Sequence, residues 1–340
     1  MKRSSISDIA KRLGVSNTLV SMVLNGKAKE NRISEETIKR VFEVAKELNY
    51  QPNQLARGLR TGKSKTIGLI VADISNPFFS RIGRKIEDEA SKYGYHVIFC
   101  SSDENTQKTK TLINVLNERQ VDGFIISPTA GSQQQIKELL DSDIPVVLID
   151  RYFTELETNY IAIDNYTSSY KIVKSLIVQG YKRIGSLFFN TDMVHMKHRM
   201  NGYKDACKEA GIQLDERWIR NVDFENLEES IKKEMKALIS PEIDCDSFFF
   251  PTGELAVKSL EGLAEDDIHI FNHTGISCFD DPEAFHFSPF PVITLTQPIN
   301  EIGNKAIDII MEEIESENEV DSPRKVILDS HILERRYESH

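Results

Sequence analysis

The chain has 340 residues, 40% of them apolar, which is enough for ordinary buried cores in more than one domain, and it carries a net charge of −11. Its four scattered cysteines (Cys100, Cys207, Cys245, Cys278) have neither disulfide-framework nor zinc-site spacing. No apolar run of signal-peptide length follows Met1-Lys2-Arg3 and no segment approaches the ~20 apolar residues of a membrane span, so a cytoplasmic location with no membrane partner is expected.

The charge is unevenly spread. Residues 1–65 hold 14 Lys+Arg against 6 Asp+Glu, a local +8, which leaves −19 on the remaining 275 residues. A basic front module on an acidic body is the electrostatic footprint of phosphate binding at one end only.

Taking the chain in order, residues 6–13 place Ile6, Ile9, Ala10 and Leu13 on one helical face, and Ser5 with Asp8 is a capping pair. Gly14 supplies a left-handed joint. A second helix is expected over 16–25, capped by Ser16, with Val20, Val23 and Leu24 inward and Asn17, Thr18, Ser21 and Met22 outward. This is a helix-turn-helix whose second helix would offer Ser16, Asn17, Thr18, Ser21, Met22 and Asn25 to a DNA major groove; a helical hairpin with a polar outer face fits the pattern alone. A third helix over 34–48 brings Ile38, Val41, Phe42, Ala45 and Leu48 onto Val20 and Val23. Gln51-Pro52-Asn53 then breaks the helix, and residues 54–60, with Gly58 inside, form a short helix too weak to stand alone.

From residue 66 apolar runs alternate with amphipathic helices. Strands are expected over 66–72, 96–101, 123–128, 146–150, 160–163, 184–189, 247–251, 275–279 and 292–296, with helices between them, such as 78–93, 106–120, 168–179, 196–210 and 299–316. That alternation means parallel sheets covered on both faces, and so many strands divide into two α/β lobes. Ligands in such folds sit at the carboxyl ends of strands.

The residues Ile6-Ser7-Asp8-Ile9-Ala10, Gly14-Val15-Ser16, the run 19–26, Leu48-Asn49-Tyr50-Gln51-Pro52-Asn53, Ala56-Arg57-Gly58-Leu59-Arg60, Asp73-Ile74-Ser75-Asn76-Pro77-Phe78-Phe79, Val121-Asp122-Gly123 and Asp280-Asp281 together resemble the LacI/GalR family of transcription regulators over nearly the whole chain. The resemblance implies an all-α helix-turn-helix head (1–53), a hinge helix or linker (54–65) and a two-lobed α/β body like type I periplasmic binding proteins (66–340). The N-lobe would comprise about 66–164 plus 297–323 and the C-lobe about 165–293 plus 324–340. It also implies a homodimer, or a tetramer, on a palindromic double-stranded operator. The tail after Leu333 lacks a heptad repeat, which argues against a coiled-coil tetramer.

Within the hinge, Leu59 matches the leucine that wedges between base pairs in the minor groove, with Arg57 and Arg60 on phosphates or groove edges. Met22 stands where many members carry an arginine that reads guanine, so a half-site without that preference is expected. In the body the resemblance carries a small-molecule effector site, for a sugar, sugar acid or sugar phosphate, onto Asn76, Phe78, Phe79, Ser127, Asp150, Arg151, Asp164, Arg199, Gly253, Asp280 and Gln297. At Gly253 a side-chain contact usual in the family is missing, leaving room or a backbone contact.

The function expected is a sequence-specific DNA-binding regulator, a repressor, controlled by that effector; induction and corepression both fit, as does a global catabolite regulator. A solute-binding protein without DNA function would leave the basic head unexplained. No enzyme, cofactor or metal site is expected. Arg60-Thr61-Gly62-Lys63-Ser64 precedes a strand and lacks phosphate-loop spacing, and His195, His198 and Asp192 lack the further ligands zinc requires.

Overall fold

A computed structural model describes residues 4–50, 62–265, 274–288, 290–316 and 322–335. The chain divides into two compact units, residues 1–64 and 65–340.

The head is three helices, α1 (Ile6–Leu13), α2 (Asn17–Leu24) and α3 (Glu35–Glu47), and each begins where a side chain satisfies its first free amides. Ser5 and Asp8 form both halves of a capping box, Ser16 accepts from the Leu19 amide, and Ser34 from the Thr37 amide. Gly14 closes α1 at φ 68°, a conformation that costs a glycine nothing. Ile9, Ala10, Val20, Val23, Ala28, Val41 and Ala45 make the core. Phe42, expected in that core, is instead 51% exposed. The buried stripe of α3 centres on Val41 and Ala45, and Phe42 lies about a quarter turn off it, with Val44 half-buried on the other flank. The segment expected as a hinge helix, with Arg57, Leu59 and Arg60, lies outside the described residues, as does Gln51-Pro52-Asn53.

The body holds two six-stranded sheets. In the first the order is β11 (Lys325–Leu328), β5 (Asn159–Ile163), β4 (Val146–Ile149), β3 (Gly123–Ile126), β1 (Thr66–Val71), β2 (His96–Ser101), all parallel. In the second it is β12 (His331–Arg335), β10 (Val292–Thr296), β9 (Gly275–Phe279), β8 (Ser247–Phe250), β6 (Ile184–Phe189), β7 (Ile219–Val222), with only β12 antiparallel.

The chain passes between sheets three times, after β5, after β10 and between β11 and β12. Strand interiors such as Gly-Phe-Ile-Ile and Ser-Phe-Phe-Phe are buried throughout, because helices such as α4 (Pro77–Lys92), α7 (Asn165–Val178), α8 (Val194–Glu209), α9 (Leu227–Leu238), α10 (Gly253–Glu265) and α11 (Ile299–Glu315) cover both faces. Two further helices, α5 (Thr106–Glu118) and α6 (Gln133–Leu140), complete the first lobe.

Two expectations need correction. Strands β7, β11 and β12 were not foreseen; all three are sheet edges in which polar residues interrupt or flank short apolar stretches, Arg220 and Asn221 in β7, Lys325 in β11, His331, Glu334 and Arg335 in β12. The tail 324–340 does not belong to the C-lobe as a whole. Lys325–Leu328 adds to the first sheet beside β5, in register Lys325↔Tyr160 to Leu328↔Ile163, and only His331–Arg335 pairs with β10. Helix α11 packs over α4 and strands β3 to β5, which returns the chain to the edge of that sheet.

Candidate DNA-reading face and interlobe cleft

On the head, the outer side of α2 is an open groove lined by Ile6, Asn17, Thr18, Ser21, Met22, Asn25 and Lys27. Five of the expected DNA-reading residues therefore share one surface. Of these, Asn25 turns its amide back to donate to the Ser21 carbonyl (2.7 Å) and hydroxyl (3.2 Å), and Ser16, the sixth expected head residue, lies outside the groove lining and is spent on its cap. Asn17, Thr18 and Met22 face outward without such ties.

In the body, a cavity of about 270 Å³, close to the lower end for small-molecule sites, opens at the carboxyl ends of both sheets. From the first sheet, β1 delivers Asp73 and then Asn76, which caps α4 by accepting from the Phe78 amide (3.0 Å) and so fixes the turn that presents Phe78 and Phe79. Those two rings meet edge to face at 5.0 Å. The β2 end delivers Asp103 and Glu104, and the β4 end Asp150 and Arg151.

From the second sheet, Phe189 ends β6 and stacks on Phe224 with centroids 4.2 Å apart, giving the cavity an aromatic pair from each lobe. Helix α8 adds His195, Met196 and Arg199; Thr252 and Glu254 follow β8, Asp280 follows β9, and Gln297 follows β10. Asp150 (φ 66°) and Asp280 (φ 76°) both sit in left-handed backbone directly after a strand, a strained conformation that Asp tolerates and that turns each carboxylate across the strand ends.

The charged groups hold one another. Arg151 grips Glu104 with two parallel bonds (2.8 and 2.7 Å) and Asp150 with a third (3.2 Å). Burial pulls the Arg151 guanidinium down, but Glu104 and then Asp150 outweigh it and hold it charged. Arg199, 2% exposed, donates to Asn165 Oδ1 (2.8 Å) and the Pro251 carbonyl (2.5 Å) and lies 4.0 Å over the Phe279 ring. Burial lowers its pKa, against the pull of Asp280 and Asp150. His195 is held well below the ordinary imidazole value by burial and by Arg151 and Arg199, so it is neutral. Asp280 accepts from the Gly253 amide (3.2 Å) and Gln297 Nε2 (2.7 Å).

Of the residues expected in the site, Asn76, Phe78, Phe79, Asp150, Arg151, Arg199, Asp280 and Gln297 meet at this cavity, Gly253 lines the adjoining part of the cleft beside Glu254 and Asp280, and Ser127 and Asp164 stand apart. Ser127 is fully buried beneath β3, with its hydroxyl unpartnered. Asp164 is spent capping α7, accepting from the Thr167 amide at 2.9 Å. Gly253 leaves no room at its own position: a Cβ there would lie 2.9 Å from Pro282 Cγ and 3.2 Å from the Phe279 carbonyl, and its amide is used on Asp280.

The sequence reading missed Glu104, His195 and Glu254 among others; Glu104 and Glu254 stand just past expected strands, where the rule that ligands gather at strand ends would have found them. No group of His, Cys, Asp and Glu among the described residues could hold a metal ion, and no described helix is long and apolar enough to cross a membrane.

Residues 64–335 match the family described as periplasmic binding proteins and sugar binding domain of LacI family, and residues 5–53 match bacterial regulatory proteins, lacI family. The chain belongs to the LacI family. Among LacI-family relatives, the HTH-type transcriptional repressor PurR of Aliivibrio salmonicida is 29% identical over 317 residues, 93% of each chain. The ribose operon repressor of Haemophilus influenzae is 29% identical over 318 residues, again 93% of each. In fold, the chain is similar to the lac repressor dimer bound to operator and the anti-inducer ONPF, with a TM-score of 0.82 at 20% identity over 98% of both chains. Fold and family thus agree: a helix-turn-helix head on a type I periplasmic-binding-like body.

Proposed function

We propose that this LacI-family regulator is a repressor that binds a palindromic operator as a dimer through the outer face of α2, and that a sugar or sugar derivative in the interlobe cavity sets its operator affinity. The observation that carries this reading is the cavity itself. Its walls come from both lobes, aromatic pairs face it from each side, and its polar groups are presented by strand ends. A ligand touching both lobes favours whichever lobe arrangement it bridges best, and it shifts the protein only by that difference in affinity. Aromatic faces suit the apolar C–H faces of a sugar ring, while hydroxyls meet the acceptors between them.

On the head, Asn17, Thr18, Ser21 and Met22 are the base-edge and phosphate contacts. Arg57, Leu59 and Arg60 are the hinge contacts, and residues 54–65 carry the signal from body to head. The names of the relatives support repression as the sign of regulation.

The test is an electrophoretic shift assay on genomic fragments with the full chain and with a chain lacking residues 1–65. Selective retardation by the full chain and none by the truncated one is expected; equal retardation by both overturns the reading.

A further inference from the structure

The cleft is rich in acceptors and poor in available cations. Asp73, Asp103, Glu104, Asp150, Glu254 and Asp280 line it against only two guanidiniums. Arg151 is already gripped by Glu104 and Asp150, and Arg199 by Asn165 Oδ1 and the Pro251 carbonyl. An incoming carboxylate or phosphate would therefore meet committed donors flanked by Asp150 and Asp280, both of which act on Arg199.

Five of the six carboxylates have partners. Asp73 accepts from the Ser75 amide and hydroxyl, Asp103 from Ser101 and Lys108, and Asp280 from Gly253 and Gln297, while Glu104 and Asp150 share Arg151. Glu254, half-buried at the start of α10, differs: no described side chain bonds to it. Lys258, one turn on, is the nearest candidate and is taken by Glu228 at 2.9 Å. Burial does most to push the Glu254 carboxyl above the ordinary value; Lys258 pulls it back, Asp73 and Glu104 add to the rise, and Arg151 opposes it more weakly. Lys258 and Arg151 act on Glu254 only through space, their own bonds going to other carboxylates, so a cationic group brought into the cavity would be the first to bond it directly.

Two deeply buried polar atoms point the same way. Gln297 and His195 line the cavity, and their Oε1 and Nδ1 atoms are buried without a partner. Gln297 has spent its amide N–H on Asp280, so the open atom can only accept. Groups that are buried and unpaired are the ones a ligand is expected to satisfy.

Resting on the cleft reading above, we infer that the effector is a polyol carrying a protonated amine, an amino sugar in chemical class. Its ammonium sits against Glu254 and its hydroxyls face Gln297 and His195. Sugar acids and sugar phosphates, which the sequence left open, are excluded from the site by its charge.

Titration calorimetry on the full chain tests this with glucosamine, galactosamine and mannosamine, each beside its neutral parent hexose, and with gluconate and galacturonate. At least one amine is expected to bind about tenfold or more tighter than its parent, a difference of roughly 1.4 kcal/mol. That ratio should collapse toward one in both Glu254→Gln and Glu254→Ala, and neither acid should bind. An acid that binds as tightly as any amine overturns the inference. So does a panel in which no amine exceeds its parent, or an amine preference that survives both substitutions. The two readings separate through Phe79→Ala. A neutral or acidic member that binds and is lost in that variant leaves the cleft reading standing while the amine falls. Binding untouched by both Phe79→Ala and Asp280→Asn removes the cleft reading itself.

Discussion

Arg199→Met removes the guanidinium that ties together the wall of the cleft while keeping much of the side chain's volume. Arg199 is 2% exposed; its Nε donates to Asn165 at the start of α7, its Nη1 to the Pro251 carbonyl after β8, and its plane covers Phe279 at the end of β9. Charge-assisted bonds of this kind contribute about 1.5–3 kcal/mol each, and the ring contact up to about 2 kcal/mol.

Against that stands recovery of the guanidinium's desolvation cost, which burial makes large enough to lower its pKa. The substitution also leaves Asn165 Oδ1 and the Pro251 carbonyl without this donor. The balance is a loss of about 3 kcal/mol, which for a unit of this size is a fall of roughly 5–6 °C in Tm. Differential scanning fluorimetry of the full chain measures it. A cycle with Asn165→Ala should show coupling of about 1 kcal/mol, because the two residues share one bond. If Arg199→Met melts within a degree of the parent, or the two substitutions add independently, Arg199 is not the strut described here.

Met22→Arg should introduce a guanine preference in each half-site worth about 1–3 kcal/mol, read by selecting operators from a random pool; an unchanged base preference at that position would mean Met22 does not face the bases. Glu254→Gln should raise Tm at neutral pH. The native carboxyl titrates above the ordinary 4.5, so the native state binds more protons than the unfolded chain in that window and the parent loses stability as pH rises through it. The variant's advantage should vanish below about pH 4.5, and parallel Tm-against-pH curves would refute it. Gly202→Ala should destabilise by about 1–3 kcal/mol, because its Cβ would lie 2.4 Å from the Tyr166 carbonyl and 2.8 Å from the Tyr170 amide and push α8 off α7; chemical denaturation with no change in midpoint would show that the helices give way freely.

What was legible in the sequence was what is local. Ser5 with Asp8, Ser16 and Ser34 marked helix starts because a cap is made within three residues of itself. Interior strands stood out as apolar runs because both their faces are covered. Edge strands β7, β11 and β12 did not, since polar residues break or shorten their apolar stretches, and the pairing of β11 with β5 joins residues more than 160 apart, which no local pattern records. At the cleft, Asp150 and Asp280 were findable at strand ends. His195 was within reach as well, since it lies one turn before Arg199 on the face of α8 already expected at the cleft. Ser127 and Asp164 stand off the cavity because a strand-end residue can equally be buried in the sheet or cap a helix, whereas Gly253 lines the adjoining part of the cleft and contributes its amide in place of a side chain.

The threading of the body governs how its parts could be exchanged between relatives. The stretch from α7 through β10 is continuous, yet the sheet it builds is completed by β12, some thirty-five residues further on. A chimaera that takes its second lobe from another member needs two junctions on its C-terminal side, one after β10 and one between β11 and β12; a single crossover after β10 would graft a foreign edge onto a native sheet. The head closes its own core before residue 50, so one splice suffices to transplant it. Recombination can thus reassign the operator this protein reads more readily than the chemical signal it answers to.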